Sequence, residues 1–254
     1  MNTVPASHDG SGRAPHPVPP ARPTGRRALL RTALTGAAVL GAGLAAGPAT
    51  AAPGRDTPTR PATPAAAWRE LVAGNRRWRA FRERHPHEDP ATRRTLAVGQ
   101  HPFAVVLGCI DSRVPPELVF DQGLGDLMTV RTAGEVLDEA VLGSVAYGVL
   151  ELGIPLVVVL GHQSCGAVRA AVEADASGTR LPAHMQYLVD RISPAIDRAE
   201  QGEARIDATV DANVGLVRSR LAAEPELAAE AAAGRLAIVG ARYELSNQAV
   251  HRLA

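Results

Sequence analysis

The sequence predicts an α/β fold in which a central, mostly parallel β-sheet is flanked by α-helices. Three observations lead there. "FAVVLG" (103–108) and "PLVVVLG" (155–161) are short, unbroken, β-branched runs ending in glycine, the pattern of strands buried on both faces. Between them strand-like and helical patterns alternate, which is how a chain joins parallel strands by helical crossovers. Aromatic residues make up only 3% of the 254 residues while Ala, Val and Leu abound, so the core must be made of aliphatic faces.

Taken in order, residues 1–23 are rich in Pro, Gly, Ser and His. That mixture buries too little apolar area to offset its ordering entropy, so a disordered N-terminus is expected. Residues 24–51 combine adjacent Arg26 and Arg27, a Gly- and Ala-rich apolar run and a small-x-small end at Ala49-Thr50-Ala51. This is the layout of an export signal, and the paired arginines resemble the twin-arginine kind, with Gly25 where Ser or Thr is usual. The expected destination is extracellular or the periplasm and cell envelope. An uncleaved membrane anchor is the alternative for the same run, which is short and glycine-rich for a span. Residues 52–63 read as a linker into one domain, 64–254, long enough to bury a sizeable core.

Within that domain, "TPAAAWRELVAGNRRWRAF" sets Trp68, Leu71, Val72 and Trp78 at helical spacing, with Pro64 suited to a first turn. After the first strand, "DLMTVR" is a further strand candidate. "DEAVLGSVAYGVLELG" then places Val141, Leu142, Val145, Val149 and Leu150 on one helical face. "CGAVRAAVEA" starts a helix, and the stretch after Leu181 is mostly helical, closing at Gly234. "RLAIVGARYEL" offers a last strand. The formal net charge of +1 and the scarcity of aromatics give no reason to expect a nucleic-acid partner.

In open parallel sheets ligands gather at the carboxyl ends of the strands. The chain's two cysteines both fall there, Cys109 directly after Gly108 and Cys165 shortly after Gly161. For an exported chain a disulfide is the default reading. Their neighbours argue instead for a metal: Asp111 lies two residues after Cys109, and His162 three before Cys165. Two thiolates and an imidazole suit tetrahedral Zn²⁺, with Asp111 or water in the fourth position. A closed site would be structural or resting, whereas an open one would hold an acidified water. Arg113 shares a side with Asp111 in an extended segment and can hold its carboxylate bidentately, which keeps the fourth position open. Cys165 also begins a helix, whose unpaired N–H groups favour a thiolate.

These residues resemble those of the β-class carbonic anhydrases. "CIDSR" is similar to that family's first zinc motif and "HQSCGAV" to its second. Weaker similarity runs from "AGNRRW" through "VPPELVFDQGLGDLMTVRTAGEVLD" to "IVGARYEL". The resemblance implies Cys109, His162 and Cys165 as zinc ligands, Asp111 as an exchangeable fourth ligand, and Arg113 as its partner in catalysis. It also implies a homodimer or higher homo-oligomer, and reversible hydration of carbon dioxide to bicarbonate and a proton; residues 64–254 would then be a zinc-binding catalytic domain.

Several positions depart from the family. In "RTAGE", Thr132 and Glu135 stand where asparagines are common. Val106 stands where some bacterial members carry the tryptophan of an inhibitory bicarbonate pocket that also uses an arginine matching Arg131, so that pocket is expected to be absent. Gln122 is one position off the glutamine of plant-type members and is left outside the site. Asp126 and Glu135 are expected as caps or solvated groups, His85, His87 and His101 as solvated loop positions, and "RRWR" as the wet face of a helix. Three other readings remain open: a non-catalytic zinc-binding protein of the same fold, a hydrolase of a small carbon-sulfur substrate, and a disulfide-bonded domain without metal.

Overall fold

The computed structural model describes residues 60–254. The stretches expected to be a disordered start and an export signal, and most of the expected linker, lie outside the described residues. Five strands form one sheet: β1 Ala104–Cys109, β2 Leu127–Thr132, β3 Leu156–His162, β4 Ala237–Tyr243 and β5 Val250–Arg252. Their order is β2-β1-β3-β4-β5. The first four are parallel, and β5 runs antiparallel to β4. The helices are α1 Pro64–Arg79, α2 Pro90–Leu96, α3 Pro116–Val119, α4 Glu139–Leu150, α5 Gly166–Ser177, α6 His184–Ile192, α7 Gly202–Ala223 and α8 Pro225–Ala232. The expected α/β sheet with flanking helices is present, and each strand candidate read from the sequence is a strand.

Both glycine-terminated runs are buried along their whole length. Alternate side chains of β1 and β3 supply two cores. Val106, Val158 and Leu160 pack on one face with Ala67 and Leu71 of α1 and with Phe120. Val105, Leu107, Val157 and Val159 pack on the other with Val141, Val145 and Val149 of α4 and Val214, Val217 and Leu221 of α7. Burying each such Val or Leu is worth about 1.5–3 kcal/mol, so the two central strands anchor the fold and hold their ends in fixed places.

Three expectations are corrected. On α4 the buried stripe is Val141, Val145 and Val149, while Leu150 is 46% exposed. It lies one helical step off that stripe at the last residue of the helix. Arg77 is not on a wet face: it pairs with the buried carboxylate of Asp121 and, at 3.1 Å, with Glu70. Strand β5 is unforeseen because three residues are too few to show alternation. It is held by a buried side chain: Asn75 of α1 donates to Val119 O and Gln248 O and accepts from Val250 N, at 3.0–3.1 Å.

The chain leaves β1 for the edge strand β2 and then crosses back to β3 on the other side of β1. Connections therefore diverge between the carboxyl ends of β1 and β3, which opens the crevice where ligands bind in open α/β sheets.

Candidate metal centre

Cys109 is the last residue of β1 and His162 the last of β3. Strand register sets Gly108 beside Leu160, so these ends are neighbours. Past His162 the chain reverses through Gln163 and Ser164 and delivers Cys165 as the N-cap of α5. Ser164 takes the left-handed backbone region, φ 55°, an unfavourable conformation for a residue with a Cβ. The turn is fastened to β4 and beyond by Gln163 N donating to Tyr243 O at 2.9 Å and Ser246 N donating to Gln163 Oε1 at 3.0 Å.

This arrangement gathers the ligand atoms of Cys109, His162 and Cys165 within 4.8 Å of one another, all buried. The cysteines are free, with sulfurs 3.9 Å apart. A disulfide needs about 2.05 Å, whereas two thiolates on a tetrahedral ion at about 2.3 Å each stand about 3.8 Å apart. His162 Nδ1 lies 2.9 Å from Gln163 O. Donation to that carbonyl fixes the tautomer and leaves the lone pair on Nε2. Nε2 is itself buried with no hydrogen-bond partner. Leaving such an atom unsatisfied costs about 1–3 kcal/mol, and a metal ion beside the sulfurs would remove that cost. The residues present fit zinc.

Asp111 and Arg113 form the expected pair, by a different route. The segment is a tight turn closed by Val114 N donating to Asp111 O at 3.0 Å, not an extended run. Asp111 Oδ1 accepts from Arg113 N and Nε, both at 2.9 Å, and Oδ2 accepts from Nη2 at 2.6 Å. The hydrogen bonds from the Arg113 side chain are the main reason the Asp111 carboxyl is held down at about 2. Oδ2 lies 3.9 Å from His162 Nε2, so the carboxylate stands at the rim of the centre and turns toward Arg113. One further residue enters: Arg131 of β2 donates from Nε to Cys109 O at 2.8 Å and from Nη2 to Asp111 O at 2.7 Å.

The two sulfurs share one hydrogen bond and so titrate together. The hydrogen bond from Cys165 holds the Cys109 thiol down at about 4, opposed by burial and aided by His162 and the N–H of Gly134, 3.4 Å from Sγ. The same shared bond pushes Cys165 up, followed by burial and the charges of Glu135 and Cys109. The expected help from the α5 N-terminus is present through Val168 N–H but is the last of the contributions. Two thiolates this close repel, and a dication between them is what allows both to ionise.

Glu135 is neither cap nor solvated group. It is 1% exposed, in left-handed backbone at φ 53°, in the short turn Ala133–Glu135 between β2 and α4. Burial, then the charge on Cys109, pushes its carboxyl well above the ordinary range, against a bond from Asn213. Gly134 beside it takes φ 65°, a conformation strained for any residue with a Cβ, and a Cβ there would also push against Ile192 Cδ1 at 2.9 Å. Asp126 is likewise buried, accepting from Gly123 N at 2.9 Å and facing His87 Nδ1 at 2.7 Å; His85 and His101 are exposed as expected. Thr132 donates to Val136 O at 2.9 Å and so serves its own turn. Gln122 donates to Phe120 O at 2.9 Å in a pocket shared with Arg77 and Asp126, outside the site. Val106 is fully buried in the core.

Beside Cys109 and Asp111 opens a cavity of about 280 Å³ walled mainly by Ala167, Ala170, Leu181 and Met185. Its apolar walls and charged floor suit a small neutral molecule that reacts at the ligand cluster.

The chain is similar to known proteins in sequence and in fold. The family model described as carbonic anhydrase matches residues 104–250. Carbonic anhydrase 2 of Mycobacterium tuberculosis is 46% identical over 189 residues, covering 72% of this chain and 90% of that protein. Among solved structures, the β-carbonic anhydrase CcaA aligns with a TM-score of 0.60 at 24% identity, covering 74% of this chain and 95% of that one. A structure from work on two tetrameric β-carbonic anhydrases of Sordaria macrospora aligns with a TM-score of 0.60 at 20% identity, covering 74% and 96%. At these identities the two structures bear on the fold alone.

Proposed function

Because the chain belongs to the carbonic anhydrase family and has the fold of its β class, we propose that it catalyses the zinc-dependent, reversible hydration of carbon dioxide to bicarbonate and a proton. The observation that carries this reading is the buried, unpartnered Nε2 of His162 facing two sulfurs 3.9 Å apart, with Asp111 drawn aside by Arg113.

Cys109, His162 and Cys165 would hold the ion. Zinc so held supplies Lewis acidity, which makes water a competent nucleophile near neutral pH. The chain's own residues do the rest. Arg113 keeps the Asp111 carboxylate ionised and turned away, which leaves room beside the ligands for water. That carboxylate, 3.9 Å from His162 Nε2, is an acceptor able to orient a water's proton. The aliphatic walls of the cavity admit neutral carbon dioxide and give no polar partner to the bicarbonate anion, which favours product leaving.

A homodimer or higher homo-oligomer is supported by the tetrameric β-carbonic anhydrases that share this fold. Export, through machinery that reads an N-terminal signal, is supported by the arginine pair and apolar run of residues 24–51.

The test is metal analysis with stopped-flow carbon dioxide hydration on the native chain, Cys165→Ser and Arg113→Ala. The proposal expects one zinc per native chain, loss of zinc and activity in Cys165→Ser, and retained zinc with at least about tenfold less activity in Arg113→Ala. A zinc-loaded native chain inactive from about pH 7 to about pH 9 would support the non-catalytic reading instead. Turnover of a carbon-sulfur substrate by that same material would support the hydrolase.

A further inference from the structure

We propose that Arg131 is a positioning residue: its guanidinium clasps the backbone carbonyls on either side of Ile110 and so fixes the Cys109–Arg113 segment with the Asp111 carboxylate turned to Arg113 and not to the metal. This rests on the functional reading above, and adds what decides the position of Asp111.

The geometry is that of a fork. Nε and Nη2 of one planar group reach the carbonyls of residues 109 and 111 at 2.8 and 2.7 Å. Both distances fall at the short end of N–H···O bonds, as expected when the donor is charged. The strands set this up, since Arg131 lies opposite Gly108 in the β1–β2 register, one residue before Cys109. Ile110 N donates to Thr132 O at 3.1 Å, so backbone pairing runs one residue past the end of β1. The arginine side chain extends the attachment to Asp111, where the backbone ladder has ended.

Asp111 O thus accepts twice, from Arg131 and from Val114 N, and its peptide cannot rotate without breaking both bonds. That restraint matters because Oδ2 is already 3.9 Å from His162 Nε2. A displacement on the order of an ångström or two would carry the carboxylate into coordination distance and close the fourth position. Arg113 alone is a weak guard, with its side chain 54% exposed. Arg131 is half-buried, and among the described residues it makes no ion pair with a carboxylate. Its charge is therefore committed to the two carbonyls and, through space, to the anionic cluster they carry. A lysine offers one point donor and cannot span both carbonyls in this way.

The test uses the full-length chain with Arg131→Gln and Arg131→Lys. In metal-free protein, hydrogen exchange at the Arg113 and Val114 amides is expected to quicken at least about tenfold in Arg131→Gln, with β3 amides unchanged. Loaded with zinc, the variant should keep one ion per chain and lose at least about tenfold in kcat, with KM within about twofold. Loaded with cobalt(II), the native protein should show an absorption spectrum that changes with pH, and the variant should lose that dependence, because the carboxylate has replaced water. Arg131→Lys should fall between. Exchange and kcat within about twofold of native in Arg131→Gln would overturn the proposal, as would loss of metal on the scale of Cys165→Ser. If circular dichroism shows Arg131→Gln unfolded, Arg131→Lys is decisive: native exchange and native kcat in it overturn the clasp. Should the native chain hydrate no carbon dioxide, the functional reading fails, while the exchange and cobalt measurements still judge Arg131.

Discussion

Two buried side chains sit beside the sulfurs with different consequences. His162 offers an unpartnered nitrogen that a metal ion would satisfy, whereas Glu135 brings a carboxyl whose Oε1 has no partner at all. The pKa of Glu135 lies above its ordinary value of 4.5, so the native state holds a proton that the unfolded chain releases. Its contribution to stability is fully present below that ordinary value and declines as pH rises toward the raised one. Glu135→Gln keeps the shape and removes this dependence. Its melting temperature relative to native should therefore climb as pH rises above about 4.5, as thermal unfolding of the metal-free proteins will show. Parallel curves would mean that Glu135 is already ionised in the fold. The five residues of the proposed centre were legible in the sequence because ligand-type side chains at short spacing follow strand-like runs. Glu135 and Arg131 were named from the sequence, but what they touch was not legible there. The environment of Glu135 comes from Asn213, far along the chain, and Arg131 meets residues 109 and 111 only through strand register.

At the scale of elements, local pattern was informative wherever burial is periodic and failed where it is not. The unbroken runs of β1 and β3 announce strands covered on both faces, and α1 begins at Pro64 with Thr63 as its cap. Helix α4 shows the limit, because an apolar residue near a helix end counts toward a periodic stripe whether or not anything covers it. Leu150 is half-exposed while Leu160 of β3 is completely buried. Leu160→Ala should cost about 2–5 kcal/mol, and Leu150→Ala no more than about 0.5 kcal/mol in the isolated subunit. Chemical denaturation measures both. A large loss at Leu150 would mean that another surface covers α4.

Across the whole molecule, the order β2-β1-β3-β4-β5 brings two distant motifs together. That order is a matter of non-local pairing, so the sequence indicated which strand ends carry the ligands but not which strand lies between which. With a formal net charge of +1 the molecule exerts little long-range pull on an ion, and recognition of a small neutral substrate falls to the local cavity. On the proposed function, the crevice between β1 and β3 holds one zinc ion through Cys109, His162 and Cys165. X-ray absorption at the zinc edge, on protein loaded with a single equivalent, tests it most directly. Two sulfurs at about 2.3 Å and one imidazole nitrogen at about 2.0–2.1 Å are expected, with a single oxygen completing the shell. A shell without two sulfurs, or protein that takes up no zinc while its cysteines are bonded to each other, would contradict it.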